Sequence, residues 1–561
     1  MVSPQWALAV LCLSAQSSLA AVSAPPAKNP RETQVRNIAV IGAGAAGAST
    51  AYHLQRFAEE ENIAINVTIF EKSDRIGGRT LTVNAYDDPA QPVELGASIF
   101  VNANHILYNA AQRFELPLAQ FKTSEPGDMT AIWDGETIVF QSESGASWWW
   151  DATRMWWKYG TSPYRAVKLV QNVVNIFLKL YEPPYFPFRS LTQRVYELGL
   201  ERATGTTGEQ FLAENGIDAK FGREVIQAAT RVNYASNLGY IHGLETMVSF
   251  ATDGAMAVDG GNWQIFDNMV KYSGATILKN TTVESIVLEK RHYPSRAKPR
   301  YMLSTTNNSA SVASFDDVVI ATPWQFANMT AGTGVVRHRM ESVSYTKLHV
   351  TLFTSPFALQ PSFFGLEPGS KAPRNVYTTL GPNEKGHQGA EGVGRAGFYS
   401  ISTLSTVTNP GTNATEYLYK IFSAVAVTPE FLEKLLGADI PAEFVGTKNE
   451  ATTVPAISWF YAHWFHSYPI ELPRVTFQDV VINDGVYYTS GIESFISTME
   501  TSALMGMNVA RLIVNEAAGL NQRVRQQGPK KGSDSRRPPS REDFFDSLES
   551  ELEGMMMMDE L

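Results

Sequence analysis

The segment Asn37-Ile38-Ala39-Val40-Ile41 has strand character and runs into Gly42-Ala43-Gly44-Ala45-Ala46-Gly47. A small-residue helical pattern, Ala48-Ser49-Thr50-Ala51-Tyr52-His53-Leu54, leaves it. Strand, glycine turn and helix in that order constrain the fold more than any other feature of the chain. Gly42 permits the tight turn, Gly44 lets the backbone approach a pyrophosphate, and Gly47 lets the helix pack close on the strand. Ala45 and Ala46 open the helix, whose unpaired N–H groups and positive end face the phosphates. A second strand pattern, Val67-Thr68-Ile69-Phe70, ends in Glu71 at the spacing where a carboxylate takes ribose hydroxyls. A glycine triad alone recurs by chance, so the reading rests on this context. It predicts an α/β chain with a Rossmann-like, parallel-sheet dinucleotide-binding domain.

The residues after Glu71 narrow the dinucleotide. The chain continues Lys72-Ser73-Asp74-Arg75-Ile76-Gly77-Gly78-Arg79. A glycine pair plus arginine so soon after the acidic residue resembles the two-part fingerprint of FAD enzymes related to amine oxidases and carotenoid desaturases. That resemblance implies FAD as cofactor, with Glu71, Lys72 and Gly78 along it and Arg79 at its phosphates, where a fixed guanidinium suits a dianionic pyrophosphate. In Val93-Glu94-Leu95-Gly96-Ala97-Ser98-Ile99 a strand breaks into a small-residue turn. The resemblance puts Gly96, Ala97 and Ser98 near the flavin, where only small side chains let the ring come close. It also gives Val283 a backbone contact to the adenine and Thr322, in Ala321-Thr322-Pro323, a place beside the dinucleotide. Gly491, Glu493 and the helix opening at Met499 and Glu500 then hold the ribityl phosphate and the flavin O2 edge, where a helix dipole favours the anionic reduced ring. Lys347 and His349 occupy a strand from which related oxidases bring a polar residue toward flavin N5. Alternate strand residues of this kind are equally simple surface, so no catalytic acid or base is assigned.

Composition bounds the alternatives. The 561 residues suffice for two or three domains, and 44% hydrophobic with 11% aromatic content describes a globular chain with a large core. A formal charge of −10 argues against a nucleic-acid partner. The single cysteine, Cys12, lies in the run Trp6–Leu13, which is followed by Ser18-Leu19-Ala20. This reads as a secretory signal over residues 1–20, too short for a membrane span. Its removal leaves no disulfide, thiol catalysis or cysteinyl-flavin bond, and no His/Cys spacing suggests a metal. Sequons at Asn66, Asn280, Asn307, Asn328 and Asn413 suit a secretory route. A lysosome or vacuole is the expected destination, with the ER or the medium as alternatives.

Along the chain, 21–35 is a flexible lead-in and 36–115 the first nucleotide-binding segment. Residues 116–225 read as mainly helical substrate domain, 226–344 as the second nucleotide segment and 345–480 as substrate domain of mixed α+β type. Residues 481–518 close the nucleotide domain, and 519–561 form a polar then acidic tail expected to be disordered. Five tryptophans fall within Trp148–Trp157, and a second aromatic cluster runs Trp459-Phe460-Tyr461-Ala462-His463-Trp464-Phe465. Such density suits an apolar tunnel, a membrane-surface contact or ordinary helix packing.

Three further stretches carry a sharper resemblance: Arg231-Val232-Asn233-Tyr234, Asp259-Gly260-Gly261-Asn262, and Tyr487-Tyr488-Thr489-Ser490-Gly491-Ile492-Glu493-Ser494 leading to Met499-Glu500-Thr501-Ser502-Ala503. With Tyr419-Lys420-Ile421-Phe422-Ser423, they make residues 36–515 similar to the prenylcysteine oxidase (prenylcysteine lyase) family. The resemblance implies oxidation of a prenylcysteine thioether by FAD and O2, yielding prenal, cysteine and hydrogen peroxide. An FAD amine or amino-acid oxidase is the same-fold alternative, and a catalytically silent flavin-binding lipid carrier is the alternative from another class.

Overall fold

The computed structural model describes residues 35–120, 127–144, 148–252, 254–289, 298–306, 314–444 and 454–520. The signal reading, Cys12, most of the lead-in, Asn307 and the tail from 521 lie outside the described residues.

Two sheets organise the molecule. The first has six strands, in the order Val481–Asn483, Val486–Tyr488, Asp317–Ile320, Arg36–Ile41, Ile65–Phe70, Thr276–Leu278, all parallel except the Val481–Asn483 edge. Arg36–Ile41 lies at its centre, and Ile38, Ala39 and Val40 are fully buried, as expected for strands covered on both faces. The strand begins at an ion pair between Arg36 and the fully buried Asp317, with Arg36 Nη2 donating to Oδ1 at 2.8 Å. Helix Ala45–Glu61 follows the glycine turn and packs against the Met499–Ala517 helix. The approach is close: a Cβ on Gly506 would stand 2.3 Å from the Ala46 carbonyl oxygen, and Ser49 Oγ donates to the Ala503 carbonyl at 2.6 Å.

The second sheet has seven strands, in the order Trp459–Pro469, Tyr345–Ser355, Thr415–Ser423, Ser400–Thr408, Asn375–Thr378, Met129–Trp133, Ile138–Glu143. One of the domain bounds needs correcting, and one segment contributes strands. Residues 116–225 are mainly helical, but within them Met129-Thr130-Ala131-Ile132-Trp133 and its hairpin partner complete the edge of this sheet. β-Branched and aromatic content there outweighs the helical context. The return to the nucleotide sheet also comes later than 226, because helix Gln227–Tyr234 packs on the second sheet. Arg231 fixes it there. Fully buried, its guanidinium donates to Thr378 Oγ1, Asn237 Oδ1 and the carbonyls of Gly392 and Val393 at 2.7–3.1 Å. A short sheet containing Val283–Leu288 and Tyr301–Thr305 lies beside the first.

Candidate active site

One cavity of about 1880 Å³ runs from the glycine turn to the inner face of the second sheet. This is well above the roughly 300–1,000 Å³ usual for a single small ligand, so it has room for a dinucleotide and a substrate together.

At the nucleotide end, the three glycines of the turn differ in what requires them. Gly42 has φ +106°, and a Cβ there would sit 2.7 Å from the Ala321 carbonyl oxygen; a Cβ on Gly47 would sit 1.9 Å from the Gly42 oxygen. Protein packing alone demands glycine at both. Gly44 is ordinary extended backbone, and its Cβ would meet only Gly78 Cα at 3.7 Å. Gly44 lines the cavity, so the space a side chain would take is cavity space. A pyrophosphate approaching this turn would meet bare backbone there. Glu71 is buried at the strand end, accepting Ala43 N at 2.8 Å through Oε2 and Ser73 N and Oγ at 2.8 and 2.7 Å through Oε1. Oε2 keeps acceptor capacity for a ribose hydroxyl. Ala45, Ala46, Lys72, Gly78, Val283, Thr322 and Met499 also line the cavity, whereas Gly47 and Gly491 do not. Gly491 is required by backbone, its Cβ falling 2.9 Å from the Gln478 carbonyl oxygen.

Two charged cavity residues are also held by protein partners. Arg79 lines the cavity, but Nη1 donates to the Ser467 carbonyl and Nη2 to Glu493 Oε2, both at 2.6 Å. Glu493 Oε2 also accepts from Tyr345 OH at 3.0 Å. The guanidinium thus ties the Gly-Gly-Arg turn to the Gly-x-Glu segment, with this carboxylate as its ion partner. Glu500 accepts from Ile106 N at 2.9 Å, Leu107 N at 3.0 Å and Tyr181 OH at 2.7 Å. It therefore caps helix His105–Arg113 with its side chain, and burial, partly offset by these bonds, pushes its carboxyl up to about 7. The N-terminus of Met499–Ala517, capped by Thr498, also lines the cavity.

Gly96, Ala97 and Ser98 line the middle of the cavity; a Cβ on Gly96 would fall 1.9 Å from the Arg79 carbonyl oxygen. Above them stands a residue to which sequence reasoning assigned no role. Lys420, 8% exposed, donates through Nζ to the Glu94 carbonyl at 2.6 Å and to Ser98 Oγ at 3.0 Å. Burial lowers its ammonium to about 8 against the opposing pull of Glu94. Lys347 and His349, the polar residues expected to point toward the flavin, are not part of the cavity lining. Between them Leu348 faces the cavity, so strand alternation turns their side chains away, and Lys347 lies over the Trp464 ring at 4.3 Å.

The far end is apolar, lined by Phe140, Val174, Phe177, Val225, Val232 and Phe250. Of the second aromatic cluster, Trp464 and Phe465 reach the cavity. Trp156 and Trp157 of the first are 61% and 89% exposed, and the side chains of Trp148–Trp150 lie outside the described residues. Behind Tyr234 and Tyr468 of the cavity wall lies an acidic cluster that the sequence did not reveal. Glu245 and Glu471 are buried together, with His242 Nε2 3.3 Å from Glu471 Oε2. Burial and then their carboxylate neighbours hold both carboxyls well above the usual range, and burial lowers His242 to about 4.

The model of the family described as prenylcysteine lyase matches residues 141–526, and that of the NAD(P)-binding Rossmann-like domain matches 40–114. Farnesylcysteine lyase of Arabidopsis thaliana is 26% identical over 494 residues, covering 85% of this chain and 88% of that protein. Prenylcysteine oxidase 1 of Bos taurus is 26% identical over 556 residues, covering 94% and 95%. Among solved structures, a putrescine oxidase variant superposes with TM-score 0.52 at 11% identity, covering 86% of this chain and 99% of that one. Cyclohexylamine oxidase from Brevibacterium oxydans gives TM-score 0.50 at 15% identity, with the same coverages. These two likenesses concern the fold. The family match spans well over half of the chain: the chain belongs to the prenylcysteine lyase family.

Proposed function

We propose that this chain is an FAD-dependent prenylcysteine oxidase, converting a farnesyl- or geranylgeranyl-cysteine, O2 and water into the prenyl aldehyde, free cysteine and hydrogen peroxide. The observation that carries the reading is the continuity of one cavity from the glycine turn to an apolar chamber, in a chain of this family. FAD, when bound, supplies the hydride acceptor and passes the electrons on to O2.

In this reading Gly44, Glu71 and the N-terminus of Ala45–Glu61 hold the adenine-linked pyrophosphate and ribose, Val283 and Thr322 flank them, and the capped N-terminus of Met499–Ala517 faces the negative edge of the ring. Arg79, paired with Glu493, fixes the two loops that frame the ring. The Gly96-Ala97-Ser98 turn leaves space over it. The reacting carbon is allylic and next to sulfur, so its developing positive charge needs positioning and a dry setting more than a strong base. Phe177, Val225, Val232 and Phe250 supply that setting and take the prenyl chain, at about 0.8 kcal/mol per buried methylene.

Among the described residues no helix is long and apolar enough to cross a membrane. Contact with a membrane surface is proposed through exposed Trp156 and Trp157, which share the stretch 154–168 with exposed Arg154, Lys158, Arg165 and Lys168. A lysosomal or vacuolar site of action is the matching proposal for the compartment. Incubation of the purified protein with farnesylcysteine and, separately, with a panel of primary amines tests the activity by peroxide release. Farnesal and peroxide from farnesylcysteine are expected; turnover of amines without farnesal would refute the assignment.

A further inference from the structure

The cavity face of the second sheet is crossed by one polar row. Strand registers pair Thr130 with Asn375, Asn375 with Ser402, and Ser402 with Lys420, and all four side chains line the cavity. At about 4.8 Å per strand the row is roughly 14 Å long. The neighbouring row, Ile132, Tyr377, Ser400 and Phe422, is mostly apolar.

Lys420 ends the polar row and is the feature that needs explaining. Its ammonium is buried, and both hydrogen-bond acceptors are neutral, a backbone carbonyl and a hydroxyl. The carboxylate of Glu94 attracts it without touching it, accepting instead from Asn262 N at 2.6 Å and Thr82 Oγ1 at 3.0 Å. Among the described residues no carboxylate forms an ion pair with Lys420. An ammonium has three donors, and two are used. A buried cation with no carboxylate in contact is unfavourable unless a ligand provides one.

We infer that this row holds the α-amino-acid head of the substrate, with Lys420 pairing with its carboxylate and the side-chain oxygens of Ser402 and Asn375 accepting from its ammonium. The inference rests on the prenylcysteine reading and adds head-group recognition to it. The carboxylate carbon is three bonds from the thioether sulfur. A head held at Lys420 therefore puts the sulfur and its allylic carbon against the Gly96-Ala97-Ser98 turn and sends the prenyl chain toward Phe177, Val232 and Phe250. The chain supplies affinity but is common to every prenyl compound, so selection for the amino acid falls to the polar row.

The test uses the full chain in its flavin-loaded form. Calorimetry measures binding of S-dodecyl-L-cysteine, which has no allylic C–H and cannot react, and of its methyl ester. In the unsubstituted protein the ester should bind about tenfold or more weakly. In Lys420→Met the two ligands should bind alike, at about the level of the ester, with the flavin absorption bands unmoved; Ser402→Ala should weaken both ligands while keeping the preference for the acid. Equal binding of acid and ester by the unsubstituted protein overturns the inference. So does a preference that persists in Lys420→Met, or a Lys420→Met protein whose flavin bands shift while the preference stays. Should Lys420→Met not fold, the acid–ester comparison in the unsubstituted protein and the effect of Ser402→Ala still decide. Failure of farnesylcysteine to bleach the flavin of the unsubstituted protein would instead remove the underlying assignment, a distinct result.

Discussion

At the residue scale, the sequence pattern and the structure agree where glycine has a backbone reason and part where strand phase decides. Gly42 and Gly47 are packed against carbonyl oxygens, while Gly44 faces open cavity. Gly44→Val should therefore give a folded, colourless protein with a Tm near that of the flavin-free unsubstituted protein and an absorbance at 450 nm near zero. Gly47→Val, with its Cβ at 1.9 Å from an oxygen, should fail to accumulate as soluble protein. Full flavin content in Gly44→Val would show that the turn does not hold the cofactor. Lys347 and His349 were legible as polar residues on a strand, but there the apolar phase is Leu348 and Val350, and of these neighbours it is Leu348 that lines the cavity. The same rule applied to Thr415–Ser423 exposes Lys420 as a lysine in phase with Leu418 and Phe422, both of which line the cavity. That signal was present in the sequence. The Glu245, Glu471 and His242 cluster gave none, because its members come together only through tertiary packing.

At the element scale, the strand–turn–helix unit, the Val486–Tyr488 strand and the Met499–Ala517 helix were readable because glycines and short apolar runs mark them locally. The strands at Met129–Trp133 and Ile138–Glu143 were not, since a hairpin five and six residues long inside an aromatic, helical region carries little periodicity and takes its place from the sheet it joins. Glu500 joins two elements. Glu500→Ala should remove the cap of His105–Arg113 and leave Tyr181 OH without its acceptor, costing about 1–3 kcal/mol, measurable as a lower urea midpoint. The exposed aromatic face gives a separate prediction. The Trp156→Ser, Trp157→Ser double variant should keep its Tm and lose co-sedimentation with anionic vesicles severalfold. Unchanged co-sedimentation would end the membrane-surface proposal.

At the scale of the whole molecule, buried carboxyls set the pH response. Glu245 and Glu471 hold their protons more tightly folded than unfolded. Their contribution is complete below the unfolded carboxyl value, about 4.3, and is lost as pH rises toward the folded value. Their share of the stability should accordingly be greater at pH 5 than at pH 8, against the opposite share of His242, whose lowered value favours the higher pH, and Glu245→Gln should lessen the fall between the two pH values in thermal melts relative to the unsubstituted protein. A steeper fall with pH in Glu245→Gln would contradict this origin. The claim that unites both sheets and the cavity between them is that a flavin and a prenylcysteine meet there. Absorption spectra of the purified protein, recorded without oxygen before and after farnesylcysteine is added, test it most directly. The account predicts bands near 450 nm that bleach on addition and return with air, with farnesal in the mixture. A protein that binds no flavin, or whose flavin stays oxidised with farnesylcysteine in excess, would contradict it.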